Sequence, residues 1–395
     1  MHPQTTTRPR PARAAHPAAV PVLALATFTV VTGEMLPVGL LSPLAADLGR
    51  SEGTAGLAVT LPGIVAALAA PLLPPAARRT DRRTLLTALL VLLAAANLLS
   101  ALATSLPALL AARVLVGVCI GGVWAVAAGL APRLVPAART GRATALIFSG
   151  IAVASVVGVP AGTYLGELTG WRWSFAAVGA LSLTAAALLR AALPPLPAET
   201  AVRPAALLAL LGAPRVRQGL LAVLFLVTGH FAAYTYVRPL LARVPHLGAA
   251  TVSALLLAYG VAGIAGNFLG GALAARRPRP TLTAIAAALA ATVLLLIPAV
   301  GSLTASAALL LAWGLAYGGV SVAAQNWLAA AAPAAREAVS GLFAGAFNCA
   351  IALGALAGGL VVDGLGVTPV LWLAGALTAA ACVTGAATER TGDRP

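Results

Sequence analysis

The sequence predicts an all-α integral membrane protein with twelve transmembrane helices in two pseudo-symmetric six-helix bundles. Three observations predict it. Of the 395 residues, 60% are hydrophobic and only 9% charged, where soluble domains carry about a quarter charged residues. Apolar runs of roughly 20 residues, enough to cross ~30 Å of hydrocarbon, follow one another with short Arg- and Pro-containing breaks between them. Landmarks in the first half of the chain recur in the second. A transmembrane barrel would instead show ~10-residue alternating segments, and there are none.

The spans fall near 18–44, 55–75, 84–104, 107–130, 143–166, 172–191, 217–240, 249–274, 281–300, 303–330, 338–361 and 367–387. Residues 1–17 read as a disordered cytoplasmic tail. The apolar run after them is too long for a cleaved signal peptide, so the first helix is retained. Residues 18–191 form the first bundle and 217–387 the second. Between them, 192–216 form a cytoplasmic linker rich in proline, whose "PAALLALLGAPRVR" reads equally as an interfacial helix or a plain connection. A short cytoplasmic tail, 388–395, closes the chain.

Net charge is +15. All 25 basic residues are Arg, and they sit in the gaps between apolar runs, with no aromatic-interleaved basic helix. That pattern argues for topology signals facing anionic lipid and against nucleic acid. With the N-terminus inside, 20 arginines lie inside, Arg50, Arg172, Arg238 and Arg243 lie outside, and Arg113 alone falls within a span. The asymmetry places both termini in the cytoplasm. Cys119, Cys349 and Cys382 sit inside apolar runs at no metal-like spacing, as packing residues. No cofactor is expected, and the chain lacks a phosphate-cradling Gly-Lys loop for an ATP-driven mechanism.

"TGEMLPVGLLSPL" at 32–44 aligns with "TGHFAAYTYVRPL" at 228–240. "GVPAG" at 158–162 aligns at the same offset with "GALAG" at 354–358. "AARR" at 76–79 recurs at 274–277. Such a parallel repeat makes Glu34 and His230 counterparts near the central axis. Arg113 lies about 9 Å and Glu34 about 12 Å from the outer ends of their spans, at 1.5 Å per residue. The two therefore share a depth. A lone charge there costs ~2.5–3.5 kcal/mol, so intramembrane charges pair or face water. Two readings of Glu34 stay open: a stabilising partner of Arg113, or a carboxylate that takes up and releases a proton during transport. His230 reads either as a second titrating group or as a neutral hydrogen-bonding residue.

The stretches "TGEMLPVGLLSPLAADLG", "ARVLVGVCIGGVWAVAAGLAPRLVP", "SVVGVPAGTYLGELTGWRWSF", "TGHFAAYTYVRPLL" and "GNFLGGALAARRPRPTL" resemble the major facilitator superfamily. Within it they resemble bacterial twelve-span drug/proton antiporters of the arabinose- and chloramphenicol-efflux type. The resemblance implies a role for Arg113, with Gly117, in proton coupling. It implies a helix-five antiporter motif, shortened here, at Gly158, Pro160 and Gly162. Glycines and a proline at that place allow close helix approach and a bend. One departure stands out. The family's loop between helices two and three carries an Asp that helps lock one conformation. Here "PPAARRTDRR" has Arg78 at that place, with Asp81 and Arg82 following, and Ala275 in the second half. Altered gating is expected, or a substitute role for Asp81.

The resemblance also implies that spans one, four, seven and ten line the cavity. Helical spacing then selects Thr27 with Glu34, Trp124 with Arg113, Tyr234 with His230, and the stripe Trp313, Tyr317, Ser321 and Gln325. Asn348 on span eleven reaches the same space. Such a mostly apolar cavity suits an amphipathic organic solute. The function expected is proton-coupled efflux by alternating access, driven by the proton gradient, by a monomer in a bacterial cytoplasmic membrane. Import of a sugar or other metabolite is the alternative with the same fold. A non-transporting membrane protein would need clustered catalytic groups or a soluble domain.

Overall fold

The computed structural model describes residues 16, 18–77, 79–127, 130–136, 139–197, 210–244, 247–299 and 301–387. Twelve helices among them are long and apolar enough to cross a membrane. They are α1 (Ala19–Asp47), α2 (Leu57–Ala76), α3 (Arg82–Ala101) and α4 (Leu106–Ala127). Then follow α5 (Thr140–Val153, a π-helical turn at Ala154–Gly158, and Val159–Thr169) and α6 (Trp171–Ala192). The second half holds α7 (Pro214–Tyr234), α8 (Ala249–Ala274), α9 (Pro278–Ala299) and α10 (Leu303–Gly318 continued by Val320–Ala331). It ends with α11 (Arg336–Leu365) and α12 (Val367–Ala387).

Packing within the first six helices is repeated by the second six. α1 packs on α5 and α6, α2 on α4, and α3 on α4 and α6; α7, α8 and α9 meet their counterparts in the same way. Two seams join the halves, α2 against α11 and α5 against α8. Small residues set the closest crossings. A side-chain carbon on Gly117 would sit 2.6 Å from the Pro62 carbonyl of α2. Leu36 and Thr32 of α1 fill the space that Gly162 and Gly158 of α5 leave.

Prolines shape the helices that matter most. Pro160 has no N–H for the carbonyl of Val156, and α5 widens into its π turn just before it. The seventh span was expected to run unbroken to 240, but α7 stops at Tyr234. Pro239 cannot donate to the carbonyl of Thr235. Tyr236 leaves helical geometry at φ −107°, ψ 21°, before a short helix Val237–Leu241 resumes.

The first half has two apolar cores separated by a polar layer. On α1 one core uses Ala19 to Val30 and the other Leu36 to Ala45, with Thr32 and Glu34 between. Asn97 and Ser100 of α3, Arg113 of α4 and Ser182 of α6 stand at the same level, all buried. A third core fills the second half and takes in Val31, Met35 and Val38 of α1, whose stripe faces the seam. The connection after α6 is tied back to the first half. Asp81 caps α3 by accepting from the amides of Arg83 and Thr84, and also accepts from the amide of Leu196. Arg133 donates to the carbonyl of Pro197 at 2.8 Å. The rest of the linker, 198–209, lies outside the described residues.

Candidate functional site

At mid-height, Arg113 is fully buried and donates three hydrogen bonds. Its Nη1 reaches the carbonyl of Gly33 at 2.8 Å, its Nη2 that of Glu34 at 2.9 Å, and its Nε that of Ala58 at 2.9 Å. Two of these acceptors have lost their helical partner, because Gly33 precedes Pro37 by four residues and Ala58 precedes Pro62 by four. The guanidinium thus satisfies carbonyls that prolines leave open. The depth shared by Arg113 and Glu34 is direct contact. It is main-chain contact, whereas a carboxylate–guanidinium pair was one of the two readings of the sequence. The Glu34 side chain is itself buried. Its Oε1 is buried and makes no hydrogen bond.

Across the seam lies a ladder of rings. Tyr259 of α8 stacks on Tyr234 of α7 at 4.9 Å between centroids, and Tyr234 on His230 at 5.0 Å. His230 in turn stacks on Tyr317 of α10 at 3.4 Å and 7°. Trp313 stands edge-on to His230, Tyr234 and Tyr259. Its indole N–H donates to His230 Nδ1 at 2.9 Å. That bond makes Nδ1 an acceptor, so the imidazole proton of the neutral ring sits on Nε2, which is buried without a partner. The edge-on contacts of Trp313, with centroids 5.7–6.2 Å apart, have the geometry that aromatic pairs favour.

The α10 stripe grades outward. Trp313 is fully buried, Tyr317 and Ser321 are half-buried, and Gln325 is exposed toward the end where the chain termini lie. Trp124 of α4 is half-buried and packs against the cores of both halves. Two other expected lining residues hydrogen-bond to main-chain carbonyls. Thr27 donates to the carbonyls of Ile147 (2.6 Å) and Ala24 (2.9 Å), against α5. Asn348, also buried, donates to Ala344 of its own helix at 2.9 Å.

The expected gating residues divide similarly. Gly117, Gly158, Pro160 and Gly162 stand at the α2–α4 and α1–α5 crossings described above. Asp81 acts inside the first half, as the α3 cap and linker anchor. Arg82 is buried beside it, its amide donating to the carbonyl of Leu196 at 2.8 Å. Arg78 lies outside the described residues. Sequence reasoning missed Tyr259, a lone tyrosine in an apolar helix. It also missed Asn97, whose buried amide donates to Leu93 at 2.9 Å and whose Oδ1 is without a partner. A single Asn inside an apolar run was the available signal.

Twelve apolar helices in two matching halves, with ionisable groups buried inside the spans of each, have the architecture of a multi-pass membrane transporter. The description of the Major Facilitator Superfamily matches this chain over residues 23–344 and again over 246–392, and the chain belongs to that family. It is 36% identical over 349 residues to "Transcription regulatory protein OpdE" of Pseudomonas aeruginosa, covering 87% of each chain. It is 32% identical over 359 residues to "Purine ribonucleoside efflux pump NepI" of Salmonella typhimurium, covering 91% of this chain and 90% of that one. The fold is also that of a bacterial homolog to the human lysosomal transporter Spinster, solved in an inward-facing and occupied conformation. There the TM-score is 0.77 at 15% identity, over 94% of this chain and 96% of the other.

Proposed function

We propose that the chain exports small, flat organic molecules of the purine-nucleoside kind in exchange for protons, by alternating access across a bacterial cytoplasmic membrane. Both termini face the cytoplasm in this reading, which the 20-to-4 arginine asymmetry supports. One observation carries the coupling: the Oε1 of Glu34 is buried and unpartnered, on the residue whose main-chain carbonyl holds Arg113. A bare carboxylate oxygen in an apolar place gains either from a proton or from a donor on the solute. The two compete for one atom, which is what exchange requires. The face of Tyr317 opposite His230 offers a flat heterocycle an aromatic surface on which to stack. Relatives named purine ribonucleoside efflux pumps support the substrate class, and drugs of similar shape fall within it.

The test is uptake of radiolabelled adenosine, guanosine and inosine into inside-out vesicles with an inward-acid pH gradient. Accumulation that a protonophore abolishes is expected. Accumulation in right-side-out vesicles under the physiological gradient, and none in inverted ones, would reverse the direction. None in either would overturn the substrate class.

A further inference from the structure

The halves are fastened at the end of the molecule away from the chain termini, and each fastener has the same logic. Asp363 lies in the last turn of α11, where the helix dipole disfavours a carboxylate. Its partners come from the other half, at the helical start of the segment leading into α2. Asp363 Oδ1 accepts from the amide of Gly53 at 3.0 Å. Its Oδ2 accepts from Ser51 Oγ at 2.7 Å and Thr54 Oγ1 at 3.3 Å. The amide of Gly53 belongs to the first turn of a helix and has no acceptor within it. Glycine at 53 lets α11 come this close, because a side-chain carbon there would run into the Gly359 carbonyl.

Arg238, also of the second half, makes the second fastener. It donates to the carbonyl of Gly39 in α1 at 3.0 Å and pairs with Glu167 of α5. Gly39 precedes Pro43 by four residues, so its carbonyl is another that a proline leaves open. At the terminal end, Asp81 accepts from the amides of Arg83 and Thr84 in its own helix and from that of Leu196 in the linker.

We propose that Asp363 is the latch of the far-side gate: it holds that side shut by capping a backbone end of the opposite half, and transport requires its release. This goes beyond the reading above. It assumes two-sided access and depends on neither the substrate nor the proton.

The test uses full-length protein with Cys119, Cys349 and Cys382 replaced by Ala, in lipid nanodiscs, without substrate. Spin labels at Thr104→Cys and Gly301→Cys report the far side, and labels at Ala76→Cys and Ala275→Cys the terminal side. Asp363→Asn is expected to raise the ratio of far-side-open to closed molecules about tenfold, the scale of one charge-assisted hydrogen bond. The terminal-side distance should shorten in the same molecules, which mere loosening of a surface contact would not produce. Gly53→Ala should shift the populations the same way by sterics alone. Distributions unchanged from wild type in folded Asp363→Asn and Gly53→Ala proteins would overturn the latch. So would far-side widening with no change at the terminal side.

Discussion

The Arg113 guanidinium donates to the main-chain carbonyl of Glu34 at 2.9 Å, while the Oε1 of the same glutamate has no hydrogen-bond partner. The cation is fixed by backbone, and the acid is left available. A fully paired carboxylate would be a structural strut. In the proposed exchange, this oxygen is the one that a proton and a donor on the solute share.

Arg113 therefore has a structural share that is separable from coupling. Arg113→Ala leaves the carbonyls of Gly33 and Ala58 buried and unpartnered, at about 1–3 kcal/mol each. A clear fall in the unfolding temperature in detergent is expected. Arg113→Lys should recover little, since one ammonium cannot span three carbonyls on two helices. Arg133→Ala, at an exposed loop contact, should cost less in both stability and transport.

The ladder should respond to its edges. Trp313→Phe removes the N–H that holds His230 Nδ1 and keeps most of the ring area. The expected outcome is a KM several-fold higher with folding intact, read in vesicle transport. Tyr317→Phe should be milder than Tyr317→Ala, because stacking with His230 survives in the first.

Gly117→Ala should destabilise the first half by about 1–3 kcal/mol, the cost of overpacking. The added carbon meets the Pro62 carbonyl of α2, which cannot rotate away as a side chain would. Thermal unfolding of the purified protein measures this.

Much of this was legible in the residues, for physical reasons. Helices of this length and apolarity have no other way to satisfy their backbone in lipid. The common depth of Glu34 and Arg113 followed from residue rise along two antiparallel spans. What sits beside each group did not follow. Helical phase puts Thr27 on the Glu34 face but is silent on α5 lying against it. The partners of Arg113 and Arg238 were readable in retrospect, as carbonyls four residues before Pro37, Pro62 and Pro43. Tyr259 and Asp363 carried no such mark. Their roles arise from contacts between helices far apart in the chain.

The most direct measurement concerns Glu34→Gln, compared with wild type for uptake of labelled purine ribonucleoside into inverted vesicles. Glutamine keeps the size and polarity of the side chain and loses the exchangeable proton. The expected result is loss of pH-gradient-driven transport with substrate counterflow retained. Transport that still follows the pH gradient in this variant would contradict the role given to Glu34.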